Sequence, residues 1–501
     1  MKSLTRSLGA LFAASMVAGY AAAQQPPDPQ EPQHQHQKAE QNPAPDQSKR
    51  EMQHGEHPMT MRTVEPVYPR LGKAQEQAKG PLMTLTSLQR LAAESNPTLR
   101  QAEAEIRAAK ARQQQAGLYP NPTVGYTGDE IRGGSVGGGK QGFFVSQTIV
   151  TGGKLGKNRK IFGEEIRLAE VEAEEQKMRI ESAVRIAFYR VLAAQELLEA
   201  QRDLALIAQD NAETEHRLSN TGQADKSEVL QAEIEARRGQ MAVRVRENTL
   251  RQEWRGLAAV IGKPELALQV VEGNLEADLP RVNEEEVVEA IAKASPAVRI
   301  AAISTTRAQA VLERSKAEPV PDLQLRAGAE YFGEQLADIN RSIGWEGIAE
   351  VGVTLPLWNR NQGNVAAARE DLDRATREET RVALTLRERA AAVLDQYATA
   401  RIMADEYREG ILPRAREAYS LLVDEYAKML ASYPVVLDSQ RALYQLYLEY
   451  VATLENVWTT GIALEGYLLT DGLEAPARPA EVDRPVRETN VPMTRGANPQ
   501  R

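Results

Sequence analysis

The sequence predicts a mainly helical protein with a small β part, built from two similar halves. Residues 154–219 contain no proline and little glycine, which predicts one helix of roughly 100 Å at 1.5 Å per residue. Residues 323–332, LQLRAGAEYF, alternate apolar and polar side chains with the two-residue period of a strand. These helix and strand patterns occur twice along the chain, in the same order.

The N-terminus has the features of a secretory signal peptide. Lys2 and Arg6 precede an apolar segment from about Leu8 to Tyr20, and three alanines follow at 21–23. This order of charge, apolar core and small residues is typical of exported chains. The apolar core is too short to favour a membrane anchor. We therefore expect residues 1–23 to be removed on export.

Two flanking segments lack the apolar residues that a folded core requires. Residues 24–81, rich in Pro, Gln, His and Met, and the tail at 473–501 are predicted to be disordered. Basic and acidic residues are interleaved at a net charge of −9, which argues against nucleic-acid binding. The absence of cysteine excludes disulfides, thiolate metal sites and a lipid-modified N-terminal Cys. No nucleophile–base set or phosphate-binding loop is found, so neither an enzyme nor a cofactor is expected.

The chain between these segments is a duplication. The first repeat covers residues 82–264, a connecting equatorial segment covers 265–283, and the second repeat covers 284–472. Asn96-Pro97 aligns with Ser295-Pro296 at an offset of 199, whereas Gly156 aligns with Gly363 at an offset of 207. The additional residues of the second half lie between its two strands. Each strand pair should therefore end in an exposed tip.

Four strands are predicted, at about 121–131 and 141–150 in the first half and 322–333 and 347–357 in the second. Each is about ten residues long, the length of a tilted membrane-spanning strand. One apolar and one polar face suit a wall between lipid and water. A sheet in hydrocarbon must close on itself, and four strands are too few, so several chains should share one barrel.

The long helices carry a coiled-coil pattern. Val184, Val191 and Leu198 are spaced by seven residues, with alanines at the companion positions. Taken alone, this pattern also fits a soluble periplasmic coiled-coil scaffold or adaptor. Combined with the strands, it predicts helices that continue the barrel away from the membrane.

Four segments, in this order and within a duplicated plan, resemble the TolC-type outer membrane efflux protein family over roughly residues 82–470. They are SNPTLRQAEAEIRAAKARQQQAGLYPNPTV, TGGKLG, SNTGQADKSEVLQAEIEAR and PLWNRNQGNVAAARED. The resemblance implies a homotrimer with a 12-stranded β-barrel in the outer membrane and an α-helical coiled-coil barrel in the periplasm. It further implies an exit duct that works with a periplasmic adaptor (membrane fusion) protein and an inner-membrane RND-type transporter.

The resemblance also places partner contacts at the periplasmic helix turns. The candidate adaptor-contact residues are Gly222, Asp225 and Ser227 in the first half and Met429, Ser432 and Pro434 in the second. The alternative is that they only form turns: Gly222 suits a tight turn, Asp225 or Ser227 suits a helix N-cap, and Pro434 suits a first helical turn.

The segment VVLDSQRALY, residues 435–444, resembles the gate segment of the family. Relatives can carry two inward carboxylates there, three residues apart. Asp438 matches the second, and Val435 stands in the place of the first. A ring of three Asp438 residues would attract cations, and Asp424 and Glu425 are further candidates. The alternative is an ordinary exposed helix charge.

The substrate class is predicted from the N-terminal segment. Imidazole and thioether groups suit copper, and they occur together at His34, His36, His54, His57, Met52, Met59 and Met61. The alternative is a hydrophilic tether that happens to contain these residues. We expect a heavy-metal duct similar to those of copper/silver or cobalt–zinc–cadmium pumps. A multidrug or type I secretion duct remains an alternative.

Overall fold

The computed structural model describes residues 66–474, apart from residues 79, 133–137, 223 and 337–340. The expected signal peptide, most of the N-terminal segment and the tail beyond 474 lie outside the described residues. So do the glycine-rich tip of the first strand pair and the tip of the second.

The first half contains one very long helix and a strand pair. Two short elements, α1 (Lys73–Glu76) and β1 (Met83–Thr84), precede it. The order is then α2 (Leu85–Ser95), α3 (Pro97–Ala116), β2 (Thr123–Arg132), β3 (Gly138–Ile149), α4 (Lys154–Asn220) and α5 (Lys226–Ile261). The expectation of one helix from about residue 154 to 219 is thereby confirmed.

The second half repeats this plan after the short strand β4 (Val271–Glu272). The order is α6 (Glu284–Ala294), α7 (Pro296–Ala317), β5 (Leu323–Leu336), β6 (Arg341–Val353), α8 (Gln362–Glu406), a π-helical turn (Tyr407–Ile411), α9 (Leu412–Ala427) and α10 (Tyr433–Glu465). The helix matching α4 is thus interrupted. Pro413 lacks an N–H group and its ring crowds the preceding turn, which explains a π-helical turn at this point.

Equivalent helices begin in the same way in both halves. The Asn96 side chain accepts a hydrogen bond from the Thr98 N–H (2.9 Å) at the start of α3. The Ser295 hydroxyl accepts one from the Val298 N–H (3.4 Å) at the start of α7. Each N-cap is followed by a proline in the first turn, where the missing donor costs nothing.

Four strands form one antiparallel sheet in the order β2-β3-β5-β6. Val124 pairs with Val145, and Leu323 pairs with Val353, so both halves form hairpins. The two hairpins join through β3 and β5, with Ile149 opposite Leu323. The second strands begin earlier than the alternation predicted, at Gly138 and Arg341. Glycines near these starts pair through their backbone but have no side chain. The alternation of apolar and polar side chains that predicts a strand is therefore missing there.

The main core lies where α4 and α10 pack with α5, α8 and α9. Val184, Val191 and Leu198 of the predicted coiled-coil seam are buried in it. A second, smaller cluster joins α4 to α5 towards their shared turn and consists of Ala208, Ala212, Ala232 and Ala236. Small side chains there allow close helix packing. Among the described helices, none combines the length and the apolar character needed to cross a membrane.

The structure differs from the expectation of disorder at residues 66–78, which we call the strap. Leu71 packs against the main core. The Gly72 N–H donates to the Glu196 carboxylate (3.0 Å), and the Gln75 amide donates to the Gly273 carbonyl (2.6 Å). Hydrogen bonds to distant residues therefore order a segment whose composition alone predicts no structure.

Candidate functional site

One face of the sheet is mostly apolar over its paired length, with Gln141 and Gln147 as its polar side chains on β3. Residues opposite each other in an antiparallel sheet share a face, and this face carries no charged side chain at residues 140–149, 323–332 and 344–353. Its large side chains are exposed: Val124, Tyr126, Phe143, Val145, Leu325, Tyr331, Trp345, Val351 and Val353. An exposed apolar surface of this extent marks an interaction with lipid or another chain.

The other face holds all the charges of those three paired segments. The Lys140 ammonium lies 3.6 Å from a Glu346 carboxylate oxygen, and the Arg326 guanidinium lies 3.5 Å from Glu350. Both cations also sit over aromatic rings: Lys140 is 4.7 Å from the Phe332 centroid and Arg326 is 4.0 Å from the Phe144 centroid. This polar face therefore carries partly exposed ion pairs, which suits contact with water.

Phe144 explains why β3 alternates poorly in sequence. Its register partners are Gly125 and Gly328. A Cβ at Gly125 would lie 2.5 Å from the Phe144 ring, so the aromatic side chain covers the place of the missing one. With Arg326 on the ring, Phe144 is a packed member of the polar face rather than a misplaced apolar residue.

The first helix turn, between α4 and α5, is polar. Gly222 has a φ of 74°, the left-handed conformation that favours glycine. Asp225 is the N-cap of α5, and its N–H donates to the Glu228 carboxylate (2.9 Å) in a capping box. Of the two candidate capping residues, the structure uses Asp225. Ser227 lies exposed in the first turn of α5.

The second helix turn, between α9 and α10, is apolar. Met429 has a φ of 61° and is 76% exposed, and Leu430 beside it is 75% exposed. Ser432 is the N-cap of α10 without a side-chain hydrogen bond, and Pro434 is in its first turn. The two turns occupy equivalent places in the repeats and present different surfaces to a partner.

The candidate gate carboxylates lie near this second turn. Asp438 is exposed, and its carboxylate lies 3.6 Å from Arg441 one turn further along α10. The neighbouring Val436, Leu437 and Gln440 are buried, so Asp438 points away from the helix packing. Asp424 and Glu425 lie in the last turn of α9, and their side chains are exposed as well. All three candidate gate carboxylates are therefore exposed residues close in sequence to the α9–α10 turn, and their role as a gate stays a prediction.

Two buried carboxylates of α4 whose pKa is strongly raised were not identified in the sequence analysis. Burial, together with the nearby carboxylates of Glu175 and Glu105, raises the pKa of Glu172 to about 8. Burial also raises the pKa of Glu196 to about 7. One oxygen of Glu196 accepts the strap hydrogen bond from Gly72, and the other has no partner among the described residues. Glutamate is common on exposed helix faces, so no local pattern distinguishes these two.

The described part of the chain contains no assembled metal-binding site. No group of three or more His, Cys, Asp or Glu residues that could hold a metal ion occurs there. The single described histidine, His216, pairs with Glu233 at 2.7 Å on the surface of α4 and α5. The predicted weak ligands lie outside the described residues: His34, His36, His54, His57, Met52, Met59 and Met61.

Comparison with known proteins gives a consistent result. Residues 88–263 match the family model for outer membrane efflux proteins. The cobalt-zinc-cadmium resistance protein CzcC of Cupriavidus metallidurans is 26% identical over 403 residues, which cover 80% of this chain and 92% of CzcC.

Solved structures share the fold over nearly their whole length. CusC superposes with a TM-score of 0.64 at 15% identity, covering 81% of this chain and 98% of CusC. The outer-membrane channel OprN superposes with a TM-score of 0.62 at 15% identity, covering 82% of this chain and 98% of OprN. At this level of identity, the likeness establishes the fold alone.

Proposed function

We propose that this chain is a member of the outer membrane efflux protein family, located in the outer membrane and extending into the periplasm, and that it forms the exit duct of a tripartite efflux pump. The observation that carries this proposal is the two-faced sheet. Exposed apolar side chains cover one face, ion pairs line the other, and long helices extend from the strand ends. A wall of this kind separates lipid from a wet lumen.

The duct is a homotrimer in this proposal. In the described single chain, β2 and β6 each pair on one side only. Open sheet edges are not tolerated in hydrocarbon. Pairing of β6 with β2 of the next copy removes every edge when three copies close a 12-stranded barrel. The four long helices of each copy, α4, α5, α8 and α10, would then continue the tube through the periplasm.

The helix turns are the proposed contact with the adaptor. The apolar pair Met429 and Leu430 offers a surface that a helical hairpin of the adaptor can bury. The turn at Gly222 and Asp225 offers hydrogen-bonding groups instead. An RND-type transporter of the inner membrane would complete the pump through the same adaptor.

Asp438 is the proposed gate residue, with Asp424 and Glu425 as further charges near the constriction. Its pairing with Arg441 is exposed and therefore weak, so a passing cation can compete with the guanidinium. Asp438→Ala should weaken block of the open channel by multivalent cations. Asp373→Ala is the matched control, because Asp373 is also paired with an arginine, Arg377 on α8, but lies far from the turn. Equal effects of both variants on cation block would contradict the assignment of Asp438 to the gate.

The proposed cargo is a heavy-metal cation. The identity to a cobalt-zinc-cadmium resistance protein supports this class, as do the His and Met side chains of the N-terminal segment. Deletion of the gene should lower resistance to zinc, cobalt, cadmium or copper and leave antibiotic tolerance unchanged. Restoration by the intact gene is the control. Loss of antibiotic tolerance with intact metal resistance would instead identify a multidrug duct.

A further inference from the structure

The two repeats meet inside the sheet along the β3–β5 seam. Strand β3 of the first repeat pairs with β5 of the second as far as Ile149, which lies opposite Leu323. The pairing of β3 with β2 ends earlier, at Ser146. Residues 147–149 are therefore held in the sheet by β5, a strand of the other repeat.

Fixed offsets relate the elements that flank this seam to their counterparts in the other repeat. Helices α3 and α7 begin at Pro97 and Pro296, so the offset on the side of β2 and β5 is 199 residues. Helices α4 and α8 begin at Lys154 and Gln362, so the offset on the side of β3 and β6 is 208 residues.

The two hairpin registers agree with both offsets. Val124 pairs with Val145 in the first hairpin, and Leu323 pairs with Val353 in the second, again shifted by 199 and 208 residues. The structural offset of 208 replaces the 207 given by the glycine alignment. The difference matters, because a slip of one residue exchanges the two faces of a strand.

The same offsets applied to the β3–β5 seam lead to the two free edges of the sheet. The counterparts of residues 147–149 are residues 355–357, which follow the end of β6 at Val353 and have no strand partner in the described sheet. The counterpart of β5 is β2, which lies at the opposite edge of the sheet. Strand β6 thus ends four residues before the counterpart of Ile149, because the strand that would hold those residues belongs to another copy.

Apolar side chains mark both edges. Leu355 and Leu357 are 63% and 58% exposed, and Val124 and Tyr126 of β2 are 72% and 56% exposed. Ile149, the internal counterpart of Leu357, is only partly exposed. Exposed apolar residues along a free strand edge are a template for pairing with another chain.

We propose that β6 pairs with β2 of the next copy in the register of the internal β3–β5 seam, which extends β6 to Leu357. Leu357 then lies opposite Val124 of the partner subunit, and Leu355 lies opposite Tyr126 of the partner subunit. The proposal rests on the proposed trimer for the presence of the neighbour, and it fixes how the copies align. In this register the apolar face continues from one copy to the next without a step.

Disulfide cross-linking tests this register, because the chain has no cysteine of its own. Two double variants match the proposed register: Val124→Cys with Leu357→Cys, and Tyr126→Cys with Leu355→Cys. Directly opposite residues lie within the range of a disulfide. Mild oxidation of the outer membrane fraction should convert the monomer of both variants into covalent dimer and trimer on non-reducing gels. Reduction should restore the monomer.

The matched controls exchange partners among the same four positions: Val124→Cys with Leu355→Cys, and Tyr126→Cys with Leu357→Cys. These pairs are diagonal in the proposed register, about 7–8 Å apart, which is too far for a disulfide without movement of the backbone. Both controls should stay monomeric on non-reducing gels. Cross-linking in either control, with none in the proposed pairs, would show a slip of two residues and overturn the register.

Single-channel recording of the parent protein separates the register from the duct. Cross-linked trimer from both proposed pairs, in a protein that never conducts, would support the register and refute the duct. Discrete channel currents from the parent, with no cross-linking in either proposed pair, would refute the register and leave the duct in place. The absence of both cross-linking and current would overturn the two proposals together.

Discussion

Glu172 makes the stability of the protein depend on pH in a predictable direction. The carboxyl is 6% exposed on α4 and faces Glu105 of α3. Its pKa is raised from 4.5 to about 8, first by burial and then by Glu175 and Glu105. Glu105 and Glu175 are themselves paired, with Arg112 and Arg179, so these cations are engaged.

The sign follows from proton binding in the two states. Below pH 4.5 both the folded and the unfolded chain hold this proton. Between about 4.5 and 8 only the folded chain holds it, so the free energy of unfolding falls as the pH rises through this window. At about 1.4 kcal/mol per pKa unit, the loss has an upper bound of about 5 kcal/mol at pH 8 and above.

Glu172→Gln removes this titration while keeping the shape of the side chain. The variant should melt within a degree or so of the parent near pH 5 and about 5 °C higher at pH 9. Glu181→Gln is the control, because Glu181 lies on the same helix but is exposed next to Lys177. Thermal unfolding of the detergent-solubilised protein, followed by circular dichroism across this pH range, gives the measurement. A difference between parent and Glu172→Gln that stays constant with pH would refute the reasoning.

Two matched pairs of substitutions test the sheet faces and the first helix turn. Val351→Lys places a charge on the apolar face, at a cost of about 2–4 kcal/mol per chain in a bilayer. This variant should form no trimer in the outer membrane fraction. Glu350→Lys, on the opposite face, should still form the trimer. Trimer formation by both variants would contradict the assignment of faces. Gly222→Ala forces a side chain into positive φ and should destabilise the folded protein by about 1–2 kcal/mol. Gly156→Ala, at a position on α4 with open space around it, should stabilise the folded protein by up to about 1 kcal/mol. Denaturant unfolding measures both effects. Effects of the same sign would contradict this reading of the turn.

Periodic features were predictable from the sequence because they repeat locally. The long helix α4 and the apolar face of β5 and β6 follow from patterns within a few residues of each other. Strand β3 was harder, since Phe144 packs over Gly125 and Gly328, which lie on other strands. When a residue packs against partners that are distant in sequence, the local sequence shows no periodic pattern that would predict its position.

Polar contacts between residues distant in sequence were the second feature that the sequence analysis did not predict. The strap was expected to be disordered because it has few large apolar residues, yet Glu196 and Gly273 hold it through hydrogen bonds. The acids near the second turn, including Asp438, were found through the resemblance to a family.

The central claim, that three copies share one closed barrel around a conducting lumen, is tested most directly by single-channel recording. Purified protein would be reconstituted in planar bilayers, with Val351→Lys as the variant that should not insert. We expect discrete current steps that favour cations. A folded, membrane-extracted protein that never produces such steps would contradict the account.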